Sequence, residues 1–298
     1  MQLTGLLSKV QRAWKIYGFF GAVQELSIRR TCWSIQDYSF KSDAKSTSIS
    51  DQNGYVKICE LAVSSEEVFS KFRRCHEYRL ILEHVTKRFG KQYLDLAMKN
   101  RNALEYYKRI KIQNTIGKPV TLSFNEIGYS SPTTIRYLKV LIQLTELFGQ
   151  LDNKIICEIG VGFGGQAHAI TVNQKVEKYV LYDLPPVLEL NKKFLGAIGT
   201  LDRFEFIDGR NPSEKYSDLL ISNYAFSELT RDVQLMYLER VVLKAKSGYI
   251  TWNELSYIEL DGLSVEDLLS KIPNSFLIPE EPLTYSNNVI IVWGVKAH

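Results

Sequence analysis

The sequence predicts an α/β fold in which a mainly parallel sheet covered by helices fills the second half of the chain, behind a mainly helical first half. Three observations predict it. From Lys154 onward, short runs rich in β-branched and aromatic residues alternate with segments of helical period. One of these runs, Ile155-Ile156-Cys157-Glu158-Ile159, passes directly into the glycine-rich turn Gly160-Val161-Gly162-Phe163-Gly164-Gly165 and then into a helical pattern. The last two runs are joined by 279–288 alone, too short for a crossover helix, so they should pair as an antiparallel hairpin.

In chain order, 3–26 mixes Lys9, Arg12 and Lys15 with Leu6, Leu7, Val10, Trp14, Ile16, Phe19 and Phe20. The spacing predicts a helix packed on its own domain, with a basic amphipathic helix at a membrane surface as the alternative. Residues 36–53 are rich in Ser, Asp, Lys and Gln and read as a flexible connection. Several helices follow over 64–114, with Ser64 or Ser65 as N-cap ahead of Glu66 and Glu67. A polar and aromatic turn at 124–132 leads to a helix over 133–148, which Gly149 stops. Strands are then expected near 154–159, 178–182, 204–207, 218–222, 247–252, 275–278 and 289–295, and helices over 165–173, 186–195, 231–242 and 264–271. This divides the chain into a helical region, 1–150, suited to a lid or an oligomer contact, and a ligand-binding domain, 151–298.

Composition narrows the partners. The chain has 298 residues, 45% hydrophobic and 23% charged, which suffices for a sizeable core. A formal net charge of +4 is too small to hold a polyanion, so no nucleic-acid partner is expected. Cys32, Cys59, Cys75 and Cys157 lack C-x-x-C pairing, which predicts packed, reduced thiols and a cytoplasmic location. No apolar run approaches the roughly 20 residues that span a bilayer, and no signal peptide is evident. No acidic cluster calls for a metal ion.

Glycines at 160, 162 and 164 allow positive φ and close approach of the backbone to a ligand just beyond the carboxyl end of the strand. Gly160, Gly162 and Gly165 also satisfy the dinucleotide pattern G-x-G-x-x-G, which alone is weak. Glu158 separates the two readings: its carboxylate would repel a pyrophosphate but attract the amino group of an amino-acid-like cofactor. Asp183, followed by Leu184, closes the second strand where an acid can hold ribose hydroxyls. Asp208 closes the third, where it could accept from an adenine amino group or form a turn with Gly209.

A seven-stranded sheet with this turn after its first strand and a terminal antiparallel hairpin resembles the Rossmann-like class of S-adenosylmethionine-dependent methyltransferases, from about Lys154 to the end. A narrower resemblance, to a family of sugar O-methyltransferases often associated with surface-polysaccharide biosynthesis, rests on four stretches. They are Glu126-Ile127-Gly128 through Ser131-Pro132-Thr133-Thr134-Ile135-Arg136-Tyr137; Glu158 to Gln166; Tyr182-Asp183-Leu184-Pro185-Pro186-Val187; and Ser222-Asn223-Tyr224-Ala225-Phe226-Ser227-Glu228-Leu229. Val161 and Phe163 stand where that family would have Gly and Tyr.

The resemblance implies transfer of a methyl group from S-adenosylmethionine to a sugar hydroxyl, on a small-molecule or glycan acceptor. Such chemistry needs in-line positioning and a base for the hydroxyl proton. The candidates are Glu228, past the fourth strand, and His168, in the helix after the glycine turn; for His168 a satisfied core position is the alternative. Cofactor contacts are expected from Glu158, Gly160, Gly162, Gly164, Asp183, Leu184, Asp208 and Asn223. Acceptor contacts are expected from Glu126, Tyr129, Arg136 and Tyr224, with Asn253 and Glu254 at the rim. Two competing readings are an NAD-dependent sugar-nucleotide oxidoreductase or epimerase, and a non-catalytic binding module on the same fold. The first would require a Tyr-x-x-x-Lys pair after the glycine turn, and none occurs there.

Overall fold

A computed structural model describes residues 28, 31–35, 54–199, 201–254 and 260–295. The helix expected over 3–26 and the connection at 36–53 lie outside the described residues. Among the described residues, no helix is long and apolar enough to cross a membrane.

The first half is built of helices, as its apolar spacing predicts. α1 (Tyr55–Ser64) and α2 (Glu66–Phe69) meet at Ser65, whose side chain caps α2 by accepting from Val68 N at 3.3 Å. α3 (His76–Ile81), α4 (Lys87–Ala97) and α5 (Ala103–Ile110) follow, and Thr86 caps α4 by accepting from Phe89 N at 3.2 Å. The stretch expected as a plain turn instead holds a small antiparallel hairpin, β1 (Leu122–Phe124) and β2 (Gly128–Ser130). Strands of three residues are too short to show period-two alternation, so nothing local announces them. α6 (Pro132–Phe148) opens with Pro in its first turn, behind a Ser131 side chain that accepts from Thr133 N. α6 is buried along most of its length because helices cover one side and the sheet the other.

The strands are β3 (Ile155–Ile159), β4 (Lys178–Asp183), β5 (Phe204–Asp208), β6 (Leu219–Asn223), β7 (Gly248–Trp252), β8 (Phe276–Pro279) and β9 (Val289–Trp293). They form a seven-stranded sheet in the order β5-β4-β3-β6-β7-β9-β8. β5 to β7 pair in parallel, whereas β9 runs antiparallel to both β7 and β8. This is the Rossmann-like methyltransferase sheet with its terminal hairpin. A dinucleotide sheet, by contrast, is parallel with strand order 3-2-1-4-5-6. The connecting helices are α7 (Gly165–Thr171), α8 (Pro185–Ile198), α9 (Arg231–Arg240) and α10 (Val265–Lys271).

Alternate residues of the central strands feed two apolar layers. Ile156, Tyr179, Leu181 and Ile221 pack with α6, α7, α8 and with Ile58, Cys59 and Ala62 of α1. Cys157, Val180 and Leu220 pack with Leu238 of α9 and Leu268 of α10 on the other face. The first layer runs without a break from the helical half into the sheet, so the two halves share a core. The strand order reverses at β3, with β4 on one side and β6 on the other, and in open α/β sheets the carboxyl ends of the strands at such a point border the ligand crevice.

Candidate functional site

The glycine turn stands at this switch point. Gly160, Gly162 and Gly164 have φ of 76°, 54° and 90°, a region in which side chains are strained. At Gly160 a Cβ would also stand 1.9 Å from the Ala225 Cβ, so the turn and the segment after β6 touch backbone to side chain. Asp183 holds the turn's shape: its Oδ2 accepts from Val161 N at 2.8 Å and Gly162 N at 3.2 Å, and its Oδ1 accepts from Leu184 N at 2.8 Å. Each carboxylate oxygen can accept more than one bond, so this duty leaves capacity for a ligand.

Asp208 lies opposite Asp183 in register, and Gly209 N donates to the Asp183 carbonyl at 2.8 Å. The Asp208 carboxylate is gripped by Arg210, Nη2 to Oδ2 at 2.6 Å, which holds it below its usual range, and it accepts from Arg210 N at 3.0 Å. These bonds tie it to the turn after β5. Glu158 faces the core: it is 2% exposed and accepts from the Tyr179 hydroxyl at 2.7 Å. Burial pushes its carboxyl up to about 8, so at neutral pH it supports the strand beneath the turn as a neutral acid, not as the anion expected beside an amino group.

Across the crevice, five residues from four segments converge. Asn223 ends β6, and Tyr224 follows with φ 70°, a strained conformation for a residue with a ring. The backbone there is pinned by Tyr224 N donating to Thr251 O at 3.0 Å and by Ser227 Oγ donating to Tyr224 O at 2.6 Å. Ser227 Oγ also accepts from Asn253 N at 3.0 Å, and the Asn253 side chain donates to Glu228 Oε1 at 3.3 Å. Enclosure raises the Glu228 carboxyl, with Asn253 and the Arg136 charge opposing. Arg136, from the first turn of α6, is 8% exposed, and its guanidinium lies 5.8 Å from the Tyr224 ring centre. Glu254 N donates to Asn288 Oδ1 at 3.1 Å, which ties the end of β7 to the β8–β9 connection.

Three expected residues lie elsewhere. His168 is buried in α7, its Nδ1 2.9 Å from Gln113 Nε2, and burial depresses it to about 4; it is a neutral core histidine. Glu126 sits on the β1–β2 hairpin and pairs with Lys91 at 2.7 Å on the surface. Tyr129 on the same hairpin is 74% exposed. The hairpin's buried side, Phe124, packs on α4 and Ile135, so it forms part of the wall rather than a free lid.

Sequence reasoning passed over His84, Lys139 and Glu280. His84, between α3 and α4, is exposed, and desolvation and the Arg136 charge lower its pKa. Lys139, one turn beyond Arg136, donates to Gln143 Oε1 at 2.6 Å, and burial lowers it to about 8 against opposing Glu280, Glu281 and Glu146. Glu280 accepts from the Tyr224 hydroxyl and from Thr284 N at 2.8 Å. Only the i, i+3 spacing of Arg136 and Lys139 was visible beforehand. Among the described residues, no group of three or more His, Cys, Asp or Glu is placed to hold a metal ion.

No family model matches the chain, and no curated protein matches it in sequence. Solved structures match in fold. PH1948 from Pyrococcus horikoshii, described as an RNA methyltransferase, shares 12% identity over 63% of this chain and 96% of its own, with TM-score 0.41. The pyocyanin biosynthetic protein PhzM shares 12% identity over 56% of this chain and 58% of its own, with TM-score 0.39. TrmK from M. capricolum, in complex with S-adenosylhomocysteine, shares 16% identity over 51% of this chain and 65% of its own, with TM-score 0.34. The latter two are thus matched over less than two thirds of their own length.

Proposed function

We propose that the chain is an S-adenosylmethionine-dependent O-methyltransferase that methylates a sugar hydroxyl, in the cytoplasm, during surface-polysaccharide or glycan synthesis. One observation carries this reading: a positive-φ glycine turn, braced by Asp183 at the switch point, abuts at Gly160 the segment Ala225–Glu228 that carries the enclosed carboxylate of Glu228. The groups present suit the cofactor. The turn and the Asp183 and Asp208 strand ends offer hydrogen-bonding partners for a nucleoside.

When bound, the cofactor supplies a methyl group on a positively charged sulfur as electrophile. The residues of this chain position the hydroxyl and manage its proton. Glu228, held by Asn253, would accept that proton as the hydroxyl oxygen takes the methyl group. Its raised pKa makes it a stronger base than an exposed carboxylate once ionised. Arg136 and Tyr224 line the opposite side of the acceptor space. The dinucleotide alternative is disfavoured by the reversed strand β9.

Calorimetric titration with S-adenosylhomocysteine and with NAD tests the cofactor, and transfer of labelled methyl from S-adenosylmethionine to monosaccharides, nucleotide sugars and RNA tests the acceptor. Binding of S-adenosylhomocysteine alone, with label entering a sugar, is expected. Binding of NAD in its place overturns the methyltransferase reading, and label entering RNA alone overturns the sugar.

A further inference from the structure

Arg136 is nine-tenths buried, yet no carboxylate among the described residues forms an ion pair with it; its neighbours are the rings of Tyr137, 5.6 Å away, and Tyr224. A buried guanidinium without an anion is costly unless something completes it. Of the acids nearby, Glu280 is taken up by the Tyr224 hydroxyl and Thr284, and Glu228, which accepts from Asn253, meets the Arg136 charge through space without an ion pair. Beside Arg136, the Asn223 Nδ2 is a second buried donor without an acceptor. Both residues line one recess of about 10 Å³, room for about a single oxygen atom. Lys139 adds positive charge on the same wall, partly countered by Glu280 and Glu281. A buried guanidinium outside any ion pair among the described residues and an amide donor without an acceptor, gathered on one recess, suit an anionic oxygen.

We propose that Arg136 and Asn223 bind one carboxylate or phosphate group, and that the acceptor carries it: the enzyme selects an acidic sugar. The position argues for the acceptor. The recess is lined by Tyr224, Thr251 and Ile290, from the β6–β7–β9 side of the switch point, whereas Asp183 and Asp208 mark the nucleoside rim on the β4–β5 side. The cofactor's own α-carboxylate is the other source of the same chemistry. The proposal rests on the methyltransferase reading only for the bearer's identity, since anion binding is measured without turnover.

The test is titration of the full chain with glucuronate, glucose 6-phosphate and glucose, and separately with S-adenosylhomocysteine and 5′-methylthioadenosine, which lacks the amino-acid carboxylate. Wild type should bind an acidic sugar roughly tenfold or more tightly than glucose. Arg136→Gln should erase that preference and leave S-adenosylhomocysteine affinity unchanged. Arg136→Lys, which keeps the charge but loses the fork, should retain part of the preference and controls for folding alongside the melting curve. Equal binding of all three sugars by wild type overturns the proposal. Loss of S-adenosylhomocysteine affinity in Arg136→Gln, with 5′-methylthioadenosine unaffected, overturns the assignment to the acceptor and gives the anion to the cofactor. Failure of the methyltransferase reading would show separately, as wild type that binds neither cofactor compound.

Discussion

Glu158, Gly160 and Glu228 each combine a local signal with an environment that changes its meaning. Glu158 is held neutral by burial, its folded pKa of about 8 standing above the ordinary 4.5. A folded pKa raised in this way stabilises fully below the unfolded value, and the stabilisation is lost as pH rises toward the folded one. Urea-unfolding free energy should therefore fall, on the order of a few kcal/mol, between pH 5 and pH 9. Glu158→Gln should flatten that slope; an unchanged slope would assign it to other groups. Gly160→Ala meets both a φ of 76° and a contact of 1.9 Å to Ala225. It should cost about 2 kcal/mol or more in stability and weaken S-adenosylhomocysteine binding, read by melting and titration. In the proposed reaction Glu228 works only when ionised, and its carboxyl is raised. The rate should climb with pH through a midpoint above the usual carboxylate range, and Glu228→Gln should lower kcat about 10²- to 10⁴-fold and abolish that limb.

At the scale of elements, buried polar links join the helices of the first half to the glycine turn. Arg73, after α2, donates through Nε to Glu83 Oε1 at 2.6 Å, and Ser131 at the start of α6 donates to Glu83 Oε2 at 3.0 Å. The Arg73 guanidinium lies 4.3 Å from the ring centre of Phe163, inside the turn. Gln113, after α5, donates to Gly165 O at 2.8 Å. Glu83→Ala leaves a buried cation without its anion and should destabilise by roughly 3–5 kcal/mol in urea unfolding. The double replacement Arg73→Met with Glu83→Leu should cost clearly less. A double variant as unstable as the single one would mean that the ion pair itself, not the abandoned charge, sets the loss.

At the scale of the whole molecule, the apolar layer that spans α1, α6 and the sheet has no seam at residue 150. Heating should then give one cooperative transition over the described body, with calorimetric and van't Hoff enthalpies in agreement. Two resolved transitions would contradict a shared core. A ligand at a hundred times its Kd adds about 2.7 kcal/mol, so S-adenosylhomocysteine should raise Tm by roughly 5–10 °C.

Much of this architecture was legible in the chain. Runs of β-branched and aromatic residues located β3 to β9 to within a residue or two, because turn residues bound them. The short 279–288 link set the antiparallel hairpin, and the glycines set the turn, since positive φ and chain reach are local constraints. Orientation and convergence were not local. Alternation puts Glu158 on the face of Ile156 but does not say which face the crevice uses; the covering helices decide that, and they bury it. The gathering of Arg136, Asn223, Tyr224, Glu228 and Asn253 depends on the order of strands and on α6 lying beside them, contacts between residues far apart in sequence. The sequence by itself thus determined the elements and the glycine turn, through short-range dihedral and solvation preferences. Only the tertiary structure decided which charged groups share the crevice, because burial and Coulomb interaction act through space rather than along the chain.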